Sequence, residues 1–236
     1  YEVTQAQYEA VMTGNSNSLS ATPSQWLGNA NRPVEKVSWN NVQVFLTRLN
    51  AAEQAAGRLA AGWQYVLPTE SEWEYACRAG TTTAYSWGNV VNSTHANWNY
   101  GNDANQTVNV GQYAANPWGF YDMHGNVLEW LNDWKANYPV GAQTDPEGPA
   151  SGSSRVVRGG SWNNPAGADL RSAKRSHDSS ATRYNSLGFR VGFKAVQPDL
   201  ANPVLELFGG ASITRDAGQP WIDPDFEAHD VRDGIL

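Results

Sequence analysis

The chain has 236 residues and a formal net charge of −7, and only 17% of its residues are charged. That length suits one domain of about 200 residues and a smaller piece. No run of Lys or Arg could neutralise phosphates, which argues against nucleic acid as a partner, and no segment reaches the roughly 20 apolar residues that span a bilayer.

Capping residues predict three helices. Thr4 with Gln7 forms a capping-box pattern, Ser38 is a good N-cap, and Thr69 with Glu72 forms a second capping box. We expect the only cysteine, Cys77, to be a small buried thiol of the third helix. The predicted helices cover residues 4–14, about 38–57 and 69–80.

Short strands and loops account for most of the remaining chain. Alternating or apolar runs predict strands at residues 34–37 and 65–67. Residues 81–193 show almost no helical period and are punctuated by Gly, Asn and Pro. We therefore predict an α+β fold of low regularity for residues 1–195.

Near Pro198 the residue pattern changes from helical and Trp-rich segments to an alternation of apolar and polar residues. We interpret residues 196–202 as a linker, and the alternation that begins at Val204 predicts the first strands of an all-β sandwich in residues 203–236. The first residues do not resemble a signal peptide, and we expect an upstream strand and any export signal to precede Tyr1.

Six sequence blocks occur in an order that is typical of one protein family. They are Tyr1-Glu2-Val3-Thr4, Arg32-Pro33-Val34, Leu67-Pro68-Thr69-Glu70, Gly119-Phe120-Tyr121-Asp122-Met123 with Gly125-Asn126-Val127, Arg158-Gly159-Gly160-Ser161-Trp162, and Gly188-Phe189-Arg190-Val191. Together they resemble the formylglycine-generating enzyme, or sulfatase-modifying-factor, family over residues 1–195. The resemblance implies a C-type-lectin-like fold. The tail resembles the opening half of a bacterial immunoglobulin-like surface module, which implies an extracellular or cell-surface location.

The resemblance also shows what is missing. Active members of the family use two cysteines shortly after the Arg-Gly-Gly-Ser segment to bind copper and oxidise a substrate cysteine, because soft thiolates suit Cu(I). Here the first position falls at about Asn164 and the second within residues 166–169, and neither is Cys. We therefore expect no copper and a non-catalytic member of the family.

A calcium site is the stronger prediction. Carboxylates lie at both ends of the segment 122–129 with a glycine turn between them, a layout in which oxygens can converge on a hard cation. The resemblance assigns structural Ca²⁺ to Asp122, the backbone oxygens of Gly125 and Val127, and Glu129. A second family site near Asn97 would need an acidic residue such as Asp103, but the spacing is not kept, and a solvated turn is the preferred interpretation there.

The surface that the family uses as its active cleft predicts a ligand site. Trp, Tyr, Asn, Asp and Arg side chains together can stack on and hydrogen-bond a glycan or a protein. The candidate residues are Trp162, Asn163, Asn164, Asp169, Arg171, Arg175, Arg183 and Tyr184. The competing interpretation is that these aromatic residues and arginines plug a helix-poor core, with Arg158, Arg171, Arg175 and Arg190 as structural ion-pair donors.

Two other functions stay open at this point. One is an enzyme, either a metal-dependent oxidase with another ligand set or an accessory factor for sulfatases. Against it, none of the four histidines is paired at the i, i+4 spacing of metal ligands. The other is self-assembly, with the polar cleft as a subunit interface of a surface layer or appendage.

Overall fold

The computed structural model describes residues 1–99 and 105–195, and beyond them four short strands. The chain separates into two compact units, Tyr1–Lys194 and Ala195–Leu236. The larger unit contains the predicted helices and the sequence blocks described above.

All three predicted helices are present. They are α1 (Gln5–Met12), α2 (Trp39–Ala55) and α3 (Glu70–Arg78). Each begins with a complete capping box, and in α2 the partner of Ser38 is Asn41, which the sequence analysis did not identify. Helix α3 is followed by its C-cap residue, Ala79, which has a left-handed φ of 46° and precedes Gly80.

The strands are short and form two sheets in the larger unit. A four-stranded sheet has the order β4-β3-β2-β5, in which β5 runs parallel to β2 and the other pairs are antiparallel; β1 pairs with β6. The low-regularity α+β prediction is confirmed. The strands are β1 (Trp63–Val66), β2 (Leu128–Trp134), β3 (Arg155–Arg158), β4 (Ser176–Asp178), β5 (Leu187–Gly188) and β6 (Gly192–Ala195).

One predicted strand is wrong. Residues 34–37 form no strand, and Lys36 adopts a left-handed φ of 59°. Val34, Glu35 and Val37 are all buried, so the apolar residues of this segment reflect its position in the interior and not a strand. The segment is instead fixed by single backbone hydrogen bonds, from Val34 N to Val3 O and from Lys36 N to Tyr184 O.

Two hydrophobic clusters flank the four-stranded sheet. In one, the ring of Phe45 from α2 contacts Tyr8 from α1 and Phe189, and Trp130 of β2 belongs to the same cluster. In the other, Trp73 of α3 packs with residues that include Met123 and Leu131. Strand β2 contributes to both clusters, so the loop that leads into it is held in the interior of the unit.

The smaller unit is described only through β7 (Val204–Glu206), β8 (Ser212–Thr214), β9 (His229–Asp230) and β10 (Gly234–Ile235). These strands form two antiparallel pairs, β7 with β8 and β9 with β10. The predicted linker, 196–202, lies outside the described residues, and the immunoglobulin-like fold of residues 203–236 stays a prediction. Among the described residues, no helix has the length and apolar character to span a bilayer.

Candidate functional site

The loop before β2 turns sharply because three of its residues are left-handed. Asp122, Gly125 and Asn126 have φ values of 57°, 91° and 60°. Only glycine fits at position 125, since a Cβ atom there would lie 2.4 Å from the backbone oxygen of Asn97. The Asn126 side chain accepts a hydrogen bond from Val108 N at 3.0 Å. The loop is therefore held rigidly against the neighbouring segments.

Glu129, predicted as a calcium ligand, is fully buried, and its carboxylate is paired with the guanidinium of Arg190. Arg190 donates to it twice, from Nε to Oε2 at 2.5 Å and from Nη2 to Oε1 at 2.7 Å. The indole of Trp73 donates a further hydrogen bond to Oε2 at 2.8 Å. Burial of an ion pair is tolerated when both members are hydrogen-bonded in this way.

Asp122 has an available oxygen atom. Its Oδ2 accepts a hydrogen bond from Gly111 N at 2.6 Å, whereas its buried Oδ1 has no partner. The carboxylate of Glu2 lies close to that of Asp122, is wholly buried, and has no hydrogen-bond partner for either oxygen. We call Glu2, Asp122, Glu129 and Arg190 the buried acidic cluster.

The electrostatics of this cluster are unfavourable for free carboxylates. Burial, followed by the charges of Asp122 and Glu129, raises the pKa of Glu2 well above its usual range. Burial also raises the pKa of Asp122.

The predicted calcium ligands thus fit a cation only in part. Asp122 presents a free oxygen inside a rigid loop, which suits Ca²⁺, while Glu129 is committed to Arg190. Among residues 1–99 and 105–195, no group of three or more His, Cys, Asp or Glu side chains converges as metal ligands. A cation in this place would need backbone or water oxygens beside the carboxylates.

The second calcium position includes Asp103, which lies outside the described residues. Its other predicted member, Asn97, serves the loop instead. The backbone oxygen of Asn97 accepts a hydrogen bond from Asn126 N at 2.9 Å, and its side-chain amide donates to Gln106 O at 2.9 Å. Asn97 therefore has a structural role in the described part of the chain.

Trp162 is the centre of the predicted ligand face. Its indole donates to Asn185 O at 3.0 Å and packs edge-on against Trp26, with ring centroids 5.0 Å apart. Asn185 in turn donates to the Gln25 side chain at 3.3 Å, and the neighbouring Tyr184 is 50% exposed. These five residues come from three segments that lie far apart in the chain, and we call them the aromatic face.

The two asparagines after Trp162 face their own turn. Asn164 Oδ1 accepts hydrogen bonds from the Ser161 backbone N–H at 2.7 Å and from its hydroxyl group at 3.0 Å. Asn163 Oδ1 accepts a hydrogen bond from the same hydroxyl group at 2.7 Å. Asn164, which the resemblance places at about the family's first copper-ligand position, closes a tight turn in this structure.

The remaining candidates separate into different places. Asp169 pairs with Lys174 at 2.8 Å, Arg171 is exposed and donates only to a backbone oxygen, and Arg183 is exposed beside Tyr184. Arg175 pairs with Glu70 at 2.5 Å, so its described contacts lie on another surface. Trp162 is hydrogen-bonded to Asn185, which follows Arg183 and Tyr184 in the chain, whereas the described contacts of Arg175 lie with Glu70 and Tyr138.

Arg175 lines a separate cleft of about 800 Å³. Its guanidinium lies 3.8 Å from the ring centre of Tyr138 and pairs with Glu70, which also pairs with buried Arg158. Arg158, Arg175 and Arg190 are thus ion-pair donors in this structure, as the competing interpretation expected. Nearby, Asp133 accepts a hydrogen bond from Glu70 N at 2.7 Å, and burial raises its pKa to about 6.

Cys77 is buried, as predicted, and cannot replace the missing thiolates. Its sulfur lies 3.5 Å from Nε2 of His124, whose Nδ1 lies 2.7 Å from Leu170 O. Burial raises the pKa of Cys77 to about 12 and lowers that of His124 to about 4. A thiol beside a neutral imidazole in an apolar setting is neither a nucleophile nor a metal ligand at neutral pH.

Sequence reasoning missed Glu2, Trp26 and Glu35. Glu35 is fully buried, and its Oε1 accepts a hydrogen bond from Gln25 N at 2.5 Å, which places it beneath the aromatic face. The sequence did contain a signal for two of them: Glu2 stands next to Val3, and Glu35 stands next to Val34, in short segments with apolar residues. Such placement indicates burial but does not identify partners that lie far away along the chain.

Comparisons with known proteins agree with the fold. The family described as the sulfatase-modifying factor enzyme 1-like domain matches residues 1–195. The formylglycine-generating enzyme of Mus musculus is 35% identical over 180 residues, which are 70% of this chain and 45% of the enzyme. The serine/threonine-protein kinase pkn1 of Chlamydia caviae is 42% identical over 129 residues, 52% of this chain and 20% of the kinase.

A solved structure is also similar. Treponema denticola variable protein 1 aligns with a TM-score of 0.69 and 29% identity, over 82% of each chain. The chain spans between a fifth and a half of the two curated relatives named above. The family match over residues 1–195, the order of sequence blocks and the fold lead to one conclusion: the chain belongs to the formylglycine-generating enzyme, or sulfatase-modifying factor, family.

Proposed function

We propose that the chain is a non-catalytic binding module of this family, which recognises a glycan or a protein outside the cell and is stabilised by calcium. The observation that carries the proposal is that the described residues offer no accessible thiolate for copper. Asn164 stands where the resemblance places a copper-binding thiolate, and its side chain closes the Ser161 turn. Cys77 is buried and protonated. Without thiolates, the described residues offer no linear site for Cu(I).

The aromatic face supports the binding part of the proposal. Tyr184 and Arg183 are exposed, and Trp162 is fixed from behind by Trp26 and by the Asn185 carbonyl. A rigid aromatic platform beside an arginine and amides can stack on a sugar or anchor a peptide with little loss of side-chain entropy. Trp162 is held in place before a ligand arrives.

Calcium is proposed because the loop before β2 contains a buried carboxylate oxygen, Oδ1 of Asp122, with no partner. A cation that binds only the folded state would stabilise this loop by mass action. The extracellular location is supported by the resemblance of residues 203–236 to a surface module. The same resemblance supports a second candidate function, self-assembly in a surface layer, with the aromatic face as the subunit interface.

Binding is tested with a glycan array and a displayed peptide library, with the full chain as the probe. Tyr184→Ala removes an exposed ring of the face, and Tyr75→Ala is the matched control because Tyr75 is also exposed but lies on α3, against Trp118. We expect ligands of the native chain to be lost in Tyr184→Ala and kept in Tyr75→Ala. Equal binding by both variants, or no binding by the native chain, would contradict the proposal.

A further inference from the structure

Glu2 is an unusual residue in an interior. It is fully buried, and neither of its carboxylate oxygens has a hydrogen-bond partner. Asp122, whose carboxylate lies close to that of Glu2, contributes a third buried oxygen without a partner, Oδ1. Buried carboxylates are normally paired or hydrogen-bonded, because removing an ionised group from water is costly. Three buried carboxylate oxygens without donors need either a proton or a cation as a partner.

The charges of the cluster define that partner. With all three carboxyl groups ionised, Glu2, Asp122 and Glu129 carry three negative charges against the one positive charge of Arg190, so two negative charges need a counter-charge or a proton. Arg190 is directed at Glu129, with hydrogen bonds of 2.5 and 2.7 Å. Its remaining described bonds go to the backbone oxygens of Tyr121 and Asp122, at 3.0 and 3.3 Å. No guanidinium bond reaches the Glu2 carboxylate.

From this geometry we propose that a divalent cation binds between Glu2 and Asp122, with Glu2 in place of Glu129 as its second carboxylate ligand. The inference rests on the calcium part of the proposed function and changes its ligand set. Hard carboxylate oxygens in a rigid loop suit Ca²⁺, which accepts further backbone or water oxygens. The role of Glu129 is then to hold Arg190 and, through it, the carbonyls of Tyr121 and Asp122.

A shared proton is the competing way to satisfy the same oxygens. One carboxyl group would donate to the other, and the pair would carry a single negative charge. That arrangement needs no metal and would be imitated by an amide, because the NH₂ group of Gln can replace the proton donor. The two explanations therefore differ in what a Glu2→Gln variant does when calcium is added.

The test uses the full chain and four variants, one of which is Glu129→Gln at the originally predicted ligand, with calcium chloride as the probe. Glu2→Gln and Asp122→Asn each remove one proposed ligand charge, and Asn tolerates the left-handed backbone of position 122. Glu147→Gln is the control, since that side chain is 73% exposed and lies outside the cluster. Calcium affinity is measured by calorimetry, and the melting temperature is measured in calcium and in chelator.

We expect calcium to raise the melting temperature of the native chain and of Glu147→Gln. In Glu2→Gln and Asp122→Asn, calcium affinity should fall at least about tenfold, because each variant loses a charged ligand. In chelator, Glu2→Gln should melt at or above the native temperature, because one uncompensated buried charge is gone. This readout also shows that the variant folds.

Three results would overturn the inference. If the native chain binds no calcium, the shared proton is correct, and the calcium part of the proposed function falls with it. If Glu2→Gln binds calcium as tightly as the native chain, the ion lies elsewhere and only the ligand assignment fails. If Glu129→Gln abolishes calcium binding while Glu2→Gln keeps it, the originally predicted ligand set is right. The recognition of a glycan or protein by the aromatic face is tested separately and survives each of these results.

Discussion

Arg190 and Glu129 form a buried ion pair in which the guanidinium donates two hydrogen bonds to one carboxylate, at 2.5 and 2.7 Å. The same guanidinium reaches the carbonyls of Tyr121 and Asp122, so one side chain links β2 to the loop that precedes it. Because both residues are buried, removal of either one would leave the other as an uncompensated buried charge.

The first prediction concerns that pair. Arg190→Met should lower the free energy of unfolding by about 3–5 kcal/mol, because it leaves Glu129 charged and buried without its partner. Arg171→Met is the control and should change stability by less than about 0.5 kcal/mol, since Arg171 is exposed and bonds only to a backbone oxygen. Urea denaturation measures both values. Equal stability of the two variants would show that the pair contributes little.

The second prediction concerns the space around Gly188, which pairs with Glu129 across the sheet. A Cβ atom at Gly188 would lie 2.4 Å from the backbone oxygen of Val34, whereas at Gly192 the nearest atom is 3.7 Å away. Gly188→Ala should therefore destabilise the protein by about 2 kcal/mol or more, and Gly192→Ala should be close to neutral. Thermal melts of the two variants check this, and a stable Gly188→Ala protein would mean that the Val34 segment can move.

The third prediction is a pH dependence that arises from Glu35. Burial raises the pKa of this carboxyl group from 4.5 to about 7, against the opposing effect of the hydrogen bond from Gln25 N. The folded state therefore binds the proton more tightly than the unfolded state. The stabilising effect is complete below pH 4.5 and is lost as the pH rises through about 7.

Glu35→Gln should remove this part of the pH slope. Relative to the native chain, the variant should gain on the order of 1–3 kcal/mol between pH 4.5 and pH 8. Glu147→Gln, at an exposed position, should leave the slope unchanged. Urea denaturation at a series of pH values measures the effect, and parallel curves for Glu35→Gln and the native chain would contradict it.

The fourth prediction concerns the reactivity of Cys77. Because its thiol is buried and its pKa is raised to about 12, an aromatic disulfide reagent at pH 8 should not modify the folded protein. The same reagent should modify one thiol per chain in concentrated urea, which is the internal control. Rapid reaction of the folded protein would show that Cys77 is accessible and would reopen the search for thiol chemistry.

The sequence predicted local features of the fold well. Thr4, Ser38 and Thr69 began helices at the expected positions, because a cap depends on residues three or four places away. The strand at 34–37 was wrong, because tertiary contacts from Val3 and Tyr184 set that backbone. Its apolar residues indicated burial correctly but not secondary structure.

The candidate site was harder to predict than the fold. Asp122 and Glu129 were identified from their spacing. That spacing did not indicate that Arg190 forms an ion pair with Glu129 or that Glu2 lies close to Asp122. Both contacts join segments far apart in the chain. Arg175 was grouped with Trp162 because the resemblance places both on the family's active cleft, yet Arg175 pairs with Glu70 and lines another cleft.

The central claim is that this family member lacks the thiolate oxidase chemistry, and one measurement tests it directly. The full chain is loaded with copper and incubated in air with a cysteine-containing sulfatase peptide, and mass spectrometry follows the conversion of cysteine to formylglycine. We predict that copper is removed by a mild chelator and that the peptide mass stays unchanged. Stoichiometric, chelator-resistant copper with formation of the aldehyde would contradict the account and would show that ligands other than thiolates support the reaction.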